Sequence, residues 1–470
     1  MISQFTLNPF LAGLIEQGRI SRNIGEALVP HTLFRKDIPS EPFVGKMGDR
    51  IMVRRPGLLP VSILPLVPGV DPVPAQYTSE VHFVEARPYG NAVDAYLPND
   101  FVAVAKESLE KTRNLAINAG QTLDRLARAS LYRAYLAGNT CATVAAGAGV
   151  AAVHVASING FTEVNSATTG VPVAVSALNP LGCTFGATPA VARNCIAAVA
   201  DDPVNAPLGP GWLTFAAAFG GAGILIREAI LANNRSLVIF SGGGNSVDAI
   251  GAADTLSMAD VVNAVGQLRE GPAPVPAFGD GMYHAHLGVS SEGQVIMDPM
   301  VRGLIHAVEI PPEYRRYVMG EIGGALFVRN DMVPNWQNSG AMVATGLAVG
   351  SAVPAQCAPE IGGEVRNGNG INLSYTLIYG QDHCTEFRVP DGEFRSSNEI
   401  STQEAVPSVS SSGVDINVAG ATFVFRPPID RLNENNSFAW KMKGDWAVPT
   451  DVSTQARRYR RGVVICSVRP

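Results

Sequence analysis

Residues 101–137 read FVAVAKESLEKTRNLAINAGQTLDRLARASLYRAYLA, and the fold turns on this stretch. Val102, Ala105, Leu109, Ala116, Ala119, Leu123 and Leu126 recur at three- and four-residue spacings with Lys, Glu and Arg between them, which is the period of an amphipathic helix. Asn99 or Asp100 can cap its start, and Gly138 with Asn139 can end it. At about 1.5 Å per residue the helix spans roughly 50–55 Å. An apolar stripe of that length needs a wide sheet beneath it.

Upstream, GDRIMVRRP from Gly48 and SEVHFVEARPYGNAV from Ser79 alternate apolar and polar residues as strands do. Between them Pro60, Pro65, Pro68, Pro72 and Pro74 exclude a central strand or a helix. The joint reading is a long two-stranded hairpin over residues 46–98 with an apolar, proline-stiffened tip. An isolated ribbon is marginal in water. The tip residues Leu64, Leu66, Val67 and Val70 are therefore expected to rest on another subunit, and Arg54 and Arg55 to meet a neighbour's carboxylates. Residues 1–45 carry short helical signals (Phe10, Leu11, Leu14, Ile15) and end in DIPSEPFVGKMGD, an arm with little core of its own.

Downstream of the helix, residues 99–140, charge nearly vanishes from Cys141 to Gly251. The runs VPVAVSAL, NCIAAVA, GWLTFAAAF, AGILIREAIL and SLVIFSG are separated by Pro, Gly and Asn. This predicts a β-rich domain inserted at 141–251. In TLSMADVVNAVGQLREG, Thr255 or Ser257 can cap a helix with the face Met258, Val261, Val262, Val265 and Leu268. GDGMYHAHLGV and GEIGGALFVRNDMVP read as strands around a helix at DPMVRGLIHAVEI, so an α/β domain is expected within 252–430. Residues 431–470 end in the strand RRGVVICSV, expected to rejoin the layer under the long helix. The fold class is α+β.

Composition narrows the function. The chain has 470 residues, 46% hydrophobic and 16% charged, with 48 Gly and 33 Pro. Charge below the roughly 25% of ordinary soluble domains suits a protein with much surface against other chains. A net charge of −6 gives no global positive field for phosphate binding. Arg457, Arg458, Arg460 and Arg461 bracket Tyr459; this short patch, with nothing basic flanking it, fits salt bridges between subunits or a solvated strand edge better than contact with nucleic acid. The six cysteines form no CxxC pair and are expected to be reduced and mostly buried. No secretory signal and no apolar run of about 18 residues is found, so folding in a cytoplasm, away from membrane, is expected.

No catalytic or cofactor constellation is legible. His284 and His286 lie two apart near Asp280 and His306, on one face of a strand. Without HExxH they read better as partly buried histidines than as metal ligands. SGGGNSVDAIG (241–251) has neither a GK[ST] lysine nor GxGxxG spacing and reads as a flexible linker. No GxSxG elbow or cysteine-protease signature occurs. The chain is expected to be no enzyme.

The succession of arm, long hairpin, spine helix, α/β domain and return strand resembles the Hong Kong 97-type fold of tailed-phage major capsid proteins. TLSMADVVNAVGQLRE, GDGMYHAHLGVSSEGQVIMDP, GEIGGALFVRNDMVP and RYRRGVVICSV look like the coat family of N-four-like podoviruses. The sequence departs from that family at HAHLGVSSEG, where the family tends to show His-Pro, and in the insertion at 141–251. The resemblance implies self-assembly into pentamers and hexamers that close an icosahedral shell around double-stranded DNA. It further implies scaffolding and portal proteins as partners, a decoration or cement protein, assembly in the host cytoplasm and a final place in the virion capsid. Some relatives in this fold join a loop lysine to a neighbour's asparagine, but the hairpin from Met47 to Leu97 holds no lysine, so crosslinks are not expected. The alternatives are a cellular encapsulin-type nanocompartment shell and a hydrolase without recognisable motif.

Overall fold

A computed structural model of the chain describes residues 33–43, 50–56, 71, 74, 79–96, 107–166, 172–185, 192–204, 207–221, 223–244, 246–270, 274–298, 318–335, 357–358, 363–367, 369–389, 408–410, 413–418, 420–426, 435–449 and 461–469. The chain divides into two compact units. One is drawn from residues 1–51, 83–128 and 385–447, the other from 52–82, 129–384 and 448–470. The mixture of helices and sheets makes it α+β.

In the first unit the strand Asn435–Ala447 is the spine of a seven-stranded sheet. Along one edge it pairs with Arg87–Tyr96 over ten residues. Along the other it meets Ala421–Arg426 and then Thr385–Arg388. Its burial alternates strictly from Ser437 to Trp446, with Phe438, Trp440, Met442, Gly444 and Trp446 inward. That is the pattern of a sheet with one covered face. Helix α1 (Leu33–Lys36) leads into the strand Ser40–Pro42, which joins this sheet in parallel beside Thr385–Arg388.

Helix α2 runs unbroken from Glu107 to Tyr135; residues 99–106 lie outside the described residues. Within the first unit Leu115, Ala116, Ala119, Leu123 and Ala127 are buried. Asn118 Oδ1 accepts hydrogen bonds from Trp440 Nε1 at 3.1 Å and Asn91 Nδ2 at 3.2 Å, which pins the helix over the two longest strands. The buried stripe differs from the expected one: Leu126 is only half-buried, while Asp124 and Arg128 are fully buried. In the second unit the helix ends at Tyr135 and the turn after it closes at Gly138, whose φ of +77° lies in the left-handed region that glycine favours. A Cβ there would stand 2.7 Å from Arg235 Cα.

The second unit holds two six-stranded sheets. From Asn139 the strands Asn139–Cys141, Ala229–Ala232, Leu181–Phe185, Ala192–Ala200, Gly211–Phe215 and Ala152–Val155 pair antiparallel in that order. The first strand's continuation then meets the last through the Ala142–Val155 bridge and the Thr143 N–H to His154 O bond of 2.9 Å. The sheet thus closes into a barrel, which leaves no open edge. Its core includes Phe185, Phe215 and Phe219, with ring centroids 5.1–5.6 Å apart.

The other sheet runs Val238–Phe240, Gly462–Val468, Leu373–Tyr379, Tyr283–Leu287, Ala325–Arg329, Val318–Ile322. Helix α3 (Met258–Arg269) starts with a Ser257–Asp260 capping box and packs Met258, Val261, Ala264, Val265 and Leu268 onto it. Val262, expected on that face, is half exposed. Helix α4 (Val289–Met297) follows Tyr283–Leu287; the helix expected at 298–310 lies outside the described residues apart from Asp298.

Three boundaries move. Residues 238–240, read as part of the insertion, pair with Val464–Cys466, so the barrel ends before them. Residues 241–251 are not a loose linker: they form two tight turns, and Asn367 Nδ2 donates to Ile250 O at 2.9 Å. The expected return of 431–470 splits, since Asn435–Ala447 lies in the first unit's sheet while Gly462–Val468 pairs with Leu373–Tyr379. Every residue of 462–468 is buried, and a strand apolar on both faces belongs at the centre of a sheet covered on both sides.

Candidate functional site

The hairpin is present at its base. Arg50–Pro56 and Ser79–Glu85 form a two-stranded sheet of their own, and the second strand continues through Ala86 into Arg87–Tyr96. Arg50 stacks its guanidinium over Phe83, 4.9 Å from the ring centroid. Arg54 is exposed on the first strand and Arg55 follows it. Leu64, Leu66, Val67 and Val70 lie outside the described residues, as do Arg457, Arg458 and Arg460. Arg461 is half-buried, and its carbonyl accepts the Gly380 N–H at 3.0 Å.

A buried ionic cluster anchors the segment 33–43 in the first unit. Arg35 grips Glu386 through Nε to Oε2 at 2.9 Å and NH2 to Oε1 at 2.8 Å. Arg388 adds a second guanidinium, Nε to Oε1 at 3.0 Å. Asp124 on α2 accepts the backbone N–H of Arg35 at 3.1 Å, so a carboxylate from one helix caps the start of another. Phe34 and Phe43, both essentially unexposed, flank the cluster in sequence.

The two carboxylates respond in opposite ways. Burial pushes Asp124 up to about 7, outweighing the Arg35 and Phe34 N–H groups and the charges of Arg128 and Arg35. Burial also pushes Glu386 up, but the charge and hydrogen bonds of Arg35, with those of Arg388, bring it below the usual carboxylate range. Arg35, Asp124 and Glu386 are 89 and 351 positions apart. The only trace in the sequence is a charged pair, Asp124 and Arg128, four apart on a helix face otherwise made of small and apolar residues.

His284 and His286 do share one face of Tyr283–Leu287. His284 lies 3.3 Å from Asp280 and stacks on Phe278 at 4.1 Å. His286 lies 2.6 Å from the Tyr379 hydroxyl, and His383 stacks on Tyr379 at 3.8 Å. His306 lies outside the described residues. Among the described residues no three His, Cys, Asp or Glu side chains are placed to hold a metal ion, and no helix is long and apolar enough to cross a membrane. Cys141, Cys183, Cys195, Cys384 and Cys466 are buried free thiols.

No family model matches the chain, and no curated protein sequence matches it. Solved structures do align with it. The capsid of Ralstonia phage GP4 aligns over 93% of this chain and 91% of its own, at 11% identity and a TM-score of 0.48. The capsid of Helicobacter pylori bacteriophage KHP30 aligns over 91% and 85%, at 9% identity and a TM-score of 0.46. An encapsulin complex from Synechococcus elongatus aligns over 94% and 88%, at 10% identity and a TM-score of 0.35.

Proposed function

We propose that this chain is a major capsid protein, a non-enzymatic subunit that assembles into pentamers and hexamers and closes an icosahedral shell around double-stranded phage DNA. The observation that carries the reading is the ribbon Arg50–Pro56 with Ser79–Glu85, which pairs with no third strand among the described residues. Two strands alone do not hold in water, and the sequence between them is rich in Leu, Val and Pro. A neighbouring copy that covers this segment supplies the missing apolar contact. Repeated heterologous contacts of that kind close into rings and then into a shell.

On this reading Arg54, Arg55, Leu64, Leu66, Val67 and Val70 face a neighbour, and Arg457, Arg458, Arg460 and Arg461 form salt bridges between copies. The Hong Kong 97-type layout assigns residues 1–45 to the arm, 46–98 to the extended loop and 99–140 to the spine. Scaffolding, portal and decoration proteins are the expected partners, with assembly in the host cytoplasm and residence in the virion capsid. Negative-stain microscopy of the purified full-length protein tests this: large closed shells are expected. Dispersed monomers at every concentration would overturn the reading, and shells loaded with a protein cargo in the producing cell would favour a nanocompartment.

A further inference from the structure

The strand Tyr283–Leu287 lies between Ala325–Arg329 and Leu373–Tyr379, and His286 on it has no solvent exposure. Its Nε2 is 2.6 Å from Tyr379 Oη and its Nδ1 is 3.0 Å from Asn330 Nδ2. The backbone sets which end of the Asn330 amide faces the ring, because Asn330 Oδ1 accepts the Met332 N–H at 2.9 Å. The end that remains is an NH2 group, which only donates. Nδ1 must therefore carry no proton, and the ring's one N–H, on Nε2, donates to Tyr379. The imidazole is held neutral by an amide whose orientation is itself held.

We propose that His286 is a proton-operated latch: uptake of a second ring proton breaks its bond to Asn330 and frees the turn at 330–335 from the sheet. The amide cannot adapt by flipping, since that would turn NH2 toward the Met332 N–H and set donor against donor. Asn330 is also the first residue of the turn: its N–H donates to Leu287 O at 2.9 Å, and its carbonyl accepts the Val333 N–H at 3.2 Å. The turn then reaches the Asn335–Ser374 bridge. Among the described residues the charged and titratable groups on the surrounding elements include Tyr375 and Tyr379, Tyr132 and Tyr135 of α2, His284 with Asp280, His383, Asp382, Asp331 in the turn, and the Arg329–Glu292 pair at 2.7 Å. Asp280 and Glu292 already face His284 and Arg329.

Hydrogen exchange of the full-length protein, read by mass spectrometry and corrected for intrinsic rates, tests the latch between about pH 8 and pH 5, where imidazoles titrate. Peptides covering 329–335 are expected to exchange roughly tenfold faster at the acid end, the scale of one lost buried hydrogen bond, while peptides of α2 keep their protection. His286→Gln offers Oε1 to Asn330 and an N–H to Tyr379 but takes up no proton, so its turn should stay protected. Exchange at the histidine C2 carbon of the unmodified protein reports His286 titration directly and does not depend on the variant folding. Unchanged protection at 329–335 while His286 titrates, or an equal loss in His286→Gln, would overturn the proposal.

Discussion

Arg35 and Glu386 form a two-pronged ion pair, 2.8 and 2.9 Å, with side chains 5% and 0% exposed. It joins a segment near the start of the chain to a strand 351 residues later. A buried pair of this kind adds little when compared with an apolar pair of equal volume. Breaking it strands a charge and costs about 3–5 kcal/mol. Arg388 still holds Glu386 after Arg35→Met, Nε to Oε1 at 3.0 Å, so Arg35→Met is expected to destabilise by less than that in urea titrations; Arg35→Met with Glu386→Leu, which leaves only the part-exposed Arg388 without its carboxylate, should recover part of it. A double variant no more stable than the single would show that the pair is needed for its own sake.

Asp124 sets a pH dependence of the opposite sign to Glu386. With its carboxyl raised from 3.8 to about 7, the folded chain keeps a proton that the unfolded chain loses. Its stability contribution is complete below the ordinary value and is lost as pH rises through 7, a cost of about 4 kcal/mol above neutrality. Glu386, held low, contributes above its ordinary value and loses that contribution as pH falls. Asp124→Asn keeps the acceptor for Arg35 N–H and removes the titration. It should raise stability by roughly 2–4 kcal/mol near pH 8 and flatten the profile from pH 5 to 8. Parallel profiles for the two proteins would refute this.

Leu123 has no solvent exposure, and an unpaired carboxylate in its place costs several kcal/mol. Leu123→Asp should abolish soluble assembly, with particles absent from sedimentation profiles. Recovery of normal particles would mean that the helix stripe is not a packing seam.

The barrel is expected to be removable as a unit. Ser236 N–H donates to Ala137 O at 2.8 Å and Ser236 Oγ to Ala134 O at 2.6 Å, so the two ends of the insertion already touch. Replacing residues 138–235 by a short glycine linker is expected to leave a soluble, cooperatively melting remainder. Insolubility of that remainder, together with an unfolded isolated barrel, would show a shared core.

On the proposed capsid reading, particles should carry no covalent links between copies. Arg50, Arg54, Arg55 and Arg87 replace lysine throughout Met47–Leu97, and a guanidinium stays protonated and is no nucleophile for an amide. Boiled in detergent with reductant, particles should run as one band near 49.4 kDa; a ladder of multimers would contradict this.

The sequence by itself was enough for elements whose pattern is local. The 3.6-residue period marked α2, alternation marked the two ribbon strands, and a cap at Thr255 or Ser257 ahead of an apolar stripe marked the start of α3, because each depends on neighbours a few positions apart. The apolar runs after Cys141 were legible as a β-rich insertion, and the pairing of His284 with His286 on one face followed from strand geometry. Which strands pair did not follow. The runs at 238–240 and 462–468 look like any short apolar strand, and only the folded chain sets them side by side, the first at the edge of a six-stranded sheet and the second inside it. The ionic cluster was equally out of reach: Arg35, Asp124 and Glu386 are ordinary charged residues in sequence, and burial is a property of the packed chain. The orientation of the Asn330 amide, and with it the proton on His286, was decided by a single backbone N–H. Local sequence carries periodicity, whereas long-range register and the desolvation of individual charges are free energies of the tertiary structure.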